Sequence, residues 1–218
     1  MLRGRLVISL LLLGLAAGCT GGESGDTPRS PRAAQAEATK AVSSPPGRSA
    51  SAGKLDPGKV QGDWWSWAAG APSGRNPVED RSGAHCAVGQ AGDLWFLAGT
   101  FGGSVRRRCA VPARRTLVAP IVNLHGSAND CAGFMASASG SVTVDGRKLP
   151  VLRWNATPIT VTGVEGNPVT ESDGRIDTMG CGLWASSAPL AAGRHAVAIR
   201  GTSGDFRVSV DYVLTVAG

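Results

Sequence analysis

The residue types that do chemistry are scattered along this 218-residue chain. Its three histidines, His85, His125 and His195, lie far apart and beside glycine, cysteine or alanine. They read as hydrogen-bonded loop or strand-end residues rather than as a base, although each titrates near neutrality. A serine hydrolase needs Ser, His and an acid together, often on a Gly-x-Ser-x-Gly elbow, and no such elbow occurs. Zinc needs clustered Cys and His at ligand spacing, and the chain has neither Cys-x-x-Cys nor His-Glu-x-x-His. Glu171, Asp173 and Asp177 surround Gly174 but lack the spacing of a calcium loop, so they read as an acidic turn. No catalytic residue, metal ligand set or cofactor is therefore assigned. Glu79, Asp80, Asp130 and Asp173 supply the acids for an alternative, a glycan-cleaving enzyme, which requires two carboxyls about 5–9 Å apart in one cleft.

Groups suited to binding are easier to find. Arg106, Arg107 and Arg108 precede Cys109, and Arg114 and Arg115 follow Pro112. Read as a hairpin loop, these five arginines form a local patch for anionic polymers or lipid head groups. Asn123, His125, Ser127, Asn129 and Asp130 follow an apolar run, and strand ends often carry binding groups. Asn123 and Asp130 have the hydrogen-bonding inventory for a sugar or a cation. Among Trp64, Trp65 and Trp67, helical spacing sends Trp64 and Trp67 into the core and leaves Trp65 to stack on a glycan.

The elements that must position these groups are short strands separated by Gly, Pro and Asp. Candidates are residues 94–98, 117–123, 141–144, 148–154, 159–162, 182–185, 195–200 and 206–216. Phe206, Val208, Val210, Tyr212, Leu214 and Val216 alternate with polar or small partners, the period of a half-buried strand. Asp145-Gly146 after Val142 and Val144 marks a tight hairpin. Short helices are expected over Trp64–Ala69, capped by Asp63, and over Ala132–Ala138. The pattern favours a mostly β fold, a disulfide-stapled sandwich of immunoglobulin-like or jelly-roll-like kind. Cys86, Cys109, Cys131 and Cys181 allow three pairings; Cys86 with Cys109 and Cys131 with Cys181 is favoured because the first pair brackets a strand and a glycine-rich turn.

The N-terminus gives an address. Arg3 and Arg5 precede an apolar run from Leu6 to Leu13 and small residues up to Cys19. That is the layout of an export signal, too short for a stable membrane span. Leu15-Ala16-Ala17-Gly18-Cys19 resembles the lipobox of bacterial lipoproteins, with Ala16 where those usually have Leu. The resemblance implies cleavage after residue 18 and diacylglycerol on Cys19, the odd cysteine of five; two acyl chains anchor durably where one does not. Residues 19–57 are Ala-, Ser-, Pro- and Gly-rich and read as a disordered tether reaching on the order of 35 Å. Residues 58–218 hold enough chain for one core and all six tryptophans, with a net charge of only +3.

Eighteen arginines against four lysines, with abundant Ala and Gly, point to a GC-rich genome and a Gram-positive host, which puts the anchor in the cytoplasmic membrane. In a Gram-negative host Thr20 would not retain the protein at the inner membrane, and the outer membrane is expected instead. The stretches Gly92–Gly103, Arg108–Pro112 and Leu117–Asn123, with Gly83, Cys86, Gln90, Pro189-Leu190, Gly193-Arg194-His195 and Tyr212–Val216, resemble a pattern in exported bacterial proteins of unassigned activity. That resemblance implies fold and location only. The expected function is a non-catalytic module, held to the membrane by its lipid, that binds an anionic envelope polymer, a glycan or an envelope protein and no nucleic acid. A purely structural envelope domain is the third reading.

Overall fold

The computed structural model describes residues 55–170 and 172–218. The segment read as an export signal, Cys19, residues 20–54 of the expected tether and Glu171 lie outside the described residues; the last three residues of that expected tether, 55–57, instead belong to the folded part, Leu55 packing on the core and Asp56 and Pro57 opening the first helix. The described residues are mostly β, with helices α1 (Pro57–Ala69) and α2 (Ala128–Ser137) and nine strands: β1 (Leu94–Phe96), β2 (Gly103–Val111), β3 (Thr116–Gly126), β4 (Ser139–Val144), β5 (Arg147–Lys148), β6 (Leu152–Gly163), β7 (Gly174–Ser187), β8 (Gly193–Ser203) and β9 (Phe206–Val216). They form a central sheet of order β1-β3-β7-β6 and an outer sheet of order β2-β9-β8-β4-β5. Both sheets are mixed, since β1 runs parallel to β3 and β2 parallel to β9.

Side-chain alternation explains the layering. Leu117, Ala119, Leu183 and Ala185 of the central sheet share one core with Val197, Ile199, Val210 and Leu214 of the outer sheet, closing the sandwich. Val118, Trp154 and Trp184 point the other way and pack with Val60, Trp64, Trp67 and Ala68 of α1. With both faces covered, β3 and β7 each contain an unbroken buried run of six residues, as expected of strands buried on both sides.

Helix α1 is longer than expected because its start signal lies upstream of Asp63. The Asp56 carboxylate accepts the Lys59 N–H at 2.7 Å and Pro57 opens the first turn, the preferred cap and first residue of a helix. Asp63 instead pairs with Lys59 one turn back at 2.7 Å. Asp130 and Ser127 form a reciprocal capping box at the start of α2, so this helix also begins earlier than expected.

The alternating run over Phe206–Val216 is a strand with those bounds. Asp145 and Gly146 both have positive φ, 49° and 78°, and join β4 to β5, the backbone of a tight type I′ turn. The expected strand over residues 148–154 is broken: β5 stops at Lys148, Pro150 follows, and β6 runs from Leu152 through the separately expected 159–162 segment. Proline cannot donate to the ladder, which accounts for the break. Both favoured disulfides are present. Cys86–Cys109 ties the loop after α1 to β2, and Cys131–Cys181 ties α2 to β7.

Candidate functional site

The arginine run is where sequence and structure part. Arg106, Arg107 and Arg108 lie on strand β2, not in a solvated loop. Residues 107, 109 and 111 face inward while 106, 108 and 110 face solvent. Arg107 is 2% exposed. Its Nε and Nη2 donate to the carbonyls of Asp80 and Val78, and Nη1 to those of Ala98 and Gly99 and to the Tyr212 hydroxyl. Carbonyl dipoles thus solvate a buried guanidinium that has no carboxylate partner among the described residues, and its Cζ lies 5.6 Å from the Tyr212 ring centre. Burial pushes the Tyr212 phenol up despite that cation, so it stays protonated and serves the network. Arg107 is a fold residue and leaves the anion-binding patch.

The Asp80 carboxylate organises the loop that supplies two of those carbonyls. Burial opposes its ionisation, but the N–H groups of His85, Ser82 and Gly83 and the Ser82 hydroxyl outweigh that and hold the carboxyl below its ordinary range. Gly83, at φ 93°, lets this loop lie on β2; a β-carbon there would meet the Arg108 carbonyl oxygen. The other acids also serve local structure. Glu79 accepts from Ser73 and the Gly74 N–H, and Asp130 caps α2 through the Ser127 hydroxyl and N–H, which hold its carboxyl below the usual range. Asp173 lies exposed just before β7. Asp130 thus serves as the cap of α2 through one carboxylate oxygen.

The outward positions of the outer sheet carry a second set of cations. Arg106 and Arg108 on β2, Arg194 and Arg200 on β8 and Arg207 on β9 are all exposed. Asp211 is the carboxylate on the outward face of these three strands, within 4.0 Å of Arg106 and bonded to Arg200. Ser141, Thr143, Thr202 and Ser209 fill the positions between. Arg114 and Arg115 lie past the end of β2 in the turn to β3, Arg114 at φ 64°. Sequence reading missed Arg194, Arg200 and Arg207 because they are isolated in the chain. Their signal is the phase of the alternation, which puts all three on the wet side.

Asn123 and Trp65 come together at a pocket of about 160 Å³ at one end of the sandwich, lined also by Trp64, Thr100, Phe101 and Phe206. Trp65 is half-buried, edge-on to Trp64 at 4.9 Å and to His125 at 4.6 Å, so it is not a free stacking platform. Trp64 and Trp67 fill the core as expected; their indole N–H groups donate to the carbonyls of Leu97 and Val88. Burial lowers the His125 imidazole below its ordinary range. A larger open groove of about 750 Å³ runs along α1 beside Trp67 and the Lys59–Asp63 pair.

His195 lies elsewhere, at the start of β8. Its Nδ1 faces Asp145 at 2.7 Å and Nε2 the Ala191 carbonyl at 2.9 Å. Both nitrogens face acceptors, which suits the doubly protonated ring; the Asp145 hydrogen bond raises its pKa first, then that to Ala191. Among the described residues no group of three or more His, Cys, Asp and Glu could hold a metal, and no helix is long and apolar enough to cross a membrane. Comparison with known protein families and with curated proteins finds no match for this chain.

Proposed function

We propose that this chain is a lipid-anchored envelope protein whose β-domain is a non-catalytic module binding an anionic envelope polymer. The observation that carries this is the outward face of β2, β8 and β9: five exposed arginines from three adjacent strands against one aspartate. A pleated, wet sheet surface offers guanidinium forks at regular spacing, which suits repeated phosphate or carboxylate groups on a flexible chain. The acids that a glycan-cleaving enzyme would use are engaged in caps and turns at Glu79, Asp80 and Asp130, so binding is the better-supported activity. The lipid on Cys19 and the tether would then hold the module at high effective concentration against its polymer.

The test is retention of the full-length protein on purified cell-wall material and on immobilised polyphosphate across a salt series. Retention should be strong at low salt and fade as salt screens it. The triple variant R106S/R108S/R207S should lose about tenfold or more, equivalent to about 1.4 kcal/mol, with its melting midpoint unmoved. Salt-insensitive retention, or an unchanged triple variant, would overturn the proposal.

A further inference from the structure

The loop between α1 and β1 brings a further cation to the edge of the arginine face. Strand β2 is an edge of the outer sheet, and its Arg108 N–H donates to the Ser82 carbonyl of that loop at 2.8 Å. The Cys86–Cys109 disulfide clamps the loop to β2, and the Asp80 carboxylate holds its turn through the N–H groups of Ser82, Gly83 and His85. Between these anchors the backbone of Arg81 is set beside an open depression of about 380 Å³. The depression is lined by Arg81, Ser104, Val105, Arg106, Ser209 and Asp211.

The charges around it are unbalanced. Arg81 has no carboxylate partner among the described residues, and Arg106 reaches only Asp211, at 4.0 Å, whose carboxylate is bonded to Arg200. Two guanidinium groups on one depression repel each other, and an anion between them relieves that repulsion. The donors come from different sides: Arg81 from the loop, Arg106 from the strand, and the hydroxyls of Ser104 and Ser209, direct cross-strand partners, from the sheet surface. A planar carboxylate is satisfied by one guanidinium fork, whereas the tetrahedral oxygens of a phosphate take donors from several directions. Asp211 in the lining opposes a second negative charge, which favours the singly charged diester over the monoester. No aromatic ring lines the depression, so it lacks the stacking platform used for single-stranded nucleic acids. The register extends the site into a track: Ser104 pairs with Ser209, Ser209 with Arg200 and Arg200 with Ser141. These four form one outward row across strands spaced about 4.8 Å apart, so a chain leaving the depression along it meets a further guanidinium and a further hydroxyl.

We infer that Arg81, Arg106, Ser104 and Ser209 form a seat for one phosphodiester group of a polymer with a polyol-phosphate or sugar-phosphate backbone. The inference rests on the reading of the outer face as an anion-binding surface, and it narrows that reading to a ligand class and to an entry point at the β2 edge. It also gives the Asp80 loop a second role, since the turn that supplies carbonyls to Arg107 carries Arg81 on its outer side.

The experiment titrates the full-length protein by calorimetry with a glycerol phosphate hexamer and, at the same salt, with a glutamate hexamer of equal charge. The phosphodiester chain should bind about tenfold or more tightly than the carboxylate chain. R81S should lose about tenfold and S104A/S209A several-fold, while R194S, towards the other end of the same face, should stay within about twofold. Arg81, Ser104 and Arg194 are exposed, so unmoved melting midpoints separate lost binding from lost fold. Equal binding of the two hexamers, or equal losses in R81S and R194S, would overturn the inference. So would R81S-sensitive binding to phosphatidylglycerol vesicles with the free hexamer unbound, which would assign the seat to a lipid headgroup. Retention on cell-wall material that the triple variant loses and R81S keeps would sink the seat and spare the arginine face. Hexamer binding through Arg81 with no retention on cell-wall material would spare the seat and sink the envelope-polymer reading.

Discussion

The two sheets solve the same packing problem with opposite surfaces. The central sheet is covered by α1 on one side and the outer sheet on the other, so Leu183 and Trp184, neighbours in sequence, are both buried in different cores. The outer sheet has one core face and one wet face, and β9 alternates along its whole length. The difference teaches where chemistry can reside. The stretches of a sheet buried on both faces hold the fold, while a one-sided sheet can spend every second residue on a partner.

The sharpest way to break this contrast is a pair of truncations. Trp184→Ala removes a fully buried indole from the side facing α1 and should cost about 3–5 kcal/mol. Val213→Ala, on the wet face of β9, should stay within about 0.5 kcal/mol. Urea midpoints check both, and similar losses would mean that something covers the outer face in solution.

Within one strand the same contrast separates two identical residue types. Arg107→Met leaves the carbonyls of Val78, Asp80, Ala98 and Gly99 unmet and should cost about 3 kcal/mol, while Arg108→Met should be nearly silent by the same measurement. A mild Arg107→Met would show that the buried guanidinium is tolerated rather than required.

The smallest effect has a sign to check. His125 lies on the central sheet with its pKa lowered by burial, so its contribution is present above the unfolded value of 6.5 and lost as pH falls through the depressed folded value. His195, beside the outer sheet's hairpin, has its pKa raised by Asp145. Its contribution is full below 6.5 and lost as pH rises through the raised folded value. Stability curves between about pH 5 and 8 should lose the acid-side slope in His125→Gln and the alkaline-side slope in His195→Gln. Slopes of one sign in both would contradict the two environments.

The same division governs what could be read from the chain. Phe206–Val216 was legible because a wet face puts polar residues at four of its five outward positions, Val213 being the exception. For β3 and β7 the apolar runs were visible but not their faces, since nothing polar marks a side that α1 covers. Strand β2 was missed because three consecutive arginines read as a charge cluster. The signal was nevertheless present: Val105, Cys109 and Val111 set an inward phase, and Arg107 falls on it. The disulfides were accessible through the strand and turn that Cys86 and Cys109 bracket. The pocket was only half legible. Asn123 and Trp65 were picked out separately, but Phe101 in its glycine-rich segment gave no periodic cue, and only the tertiary fold brings the three to one place.

Strand β9 lies between β2 and β8, pairing along its length with both. The partner on one side is thus separated from it by about half the chain, and the outer sheet stays split in two until residue 216 has been made. Contacts of such long separation slow folding. On the proposed export route, a chain that cannot close its sandwich early would stay unfolded while it threads the translocation pore, and would complete its disulfides only after β2, α2 and β7 had reached the far side.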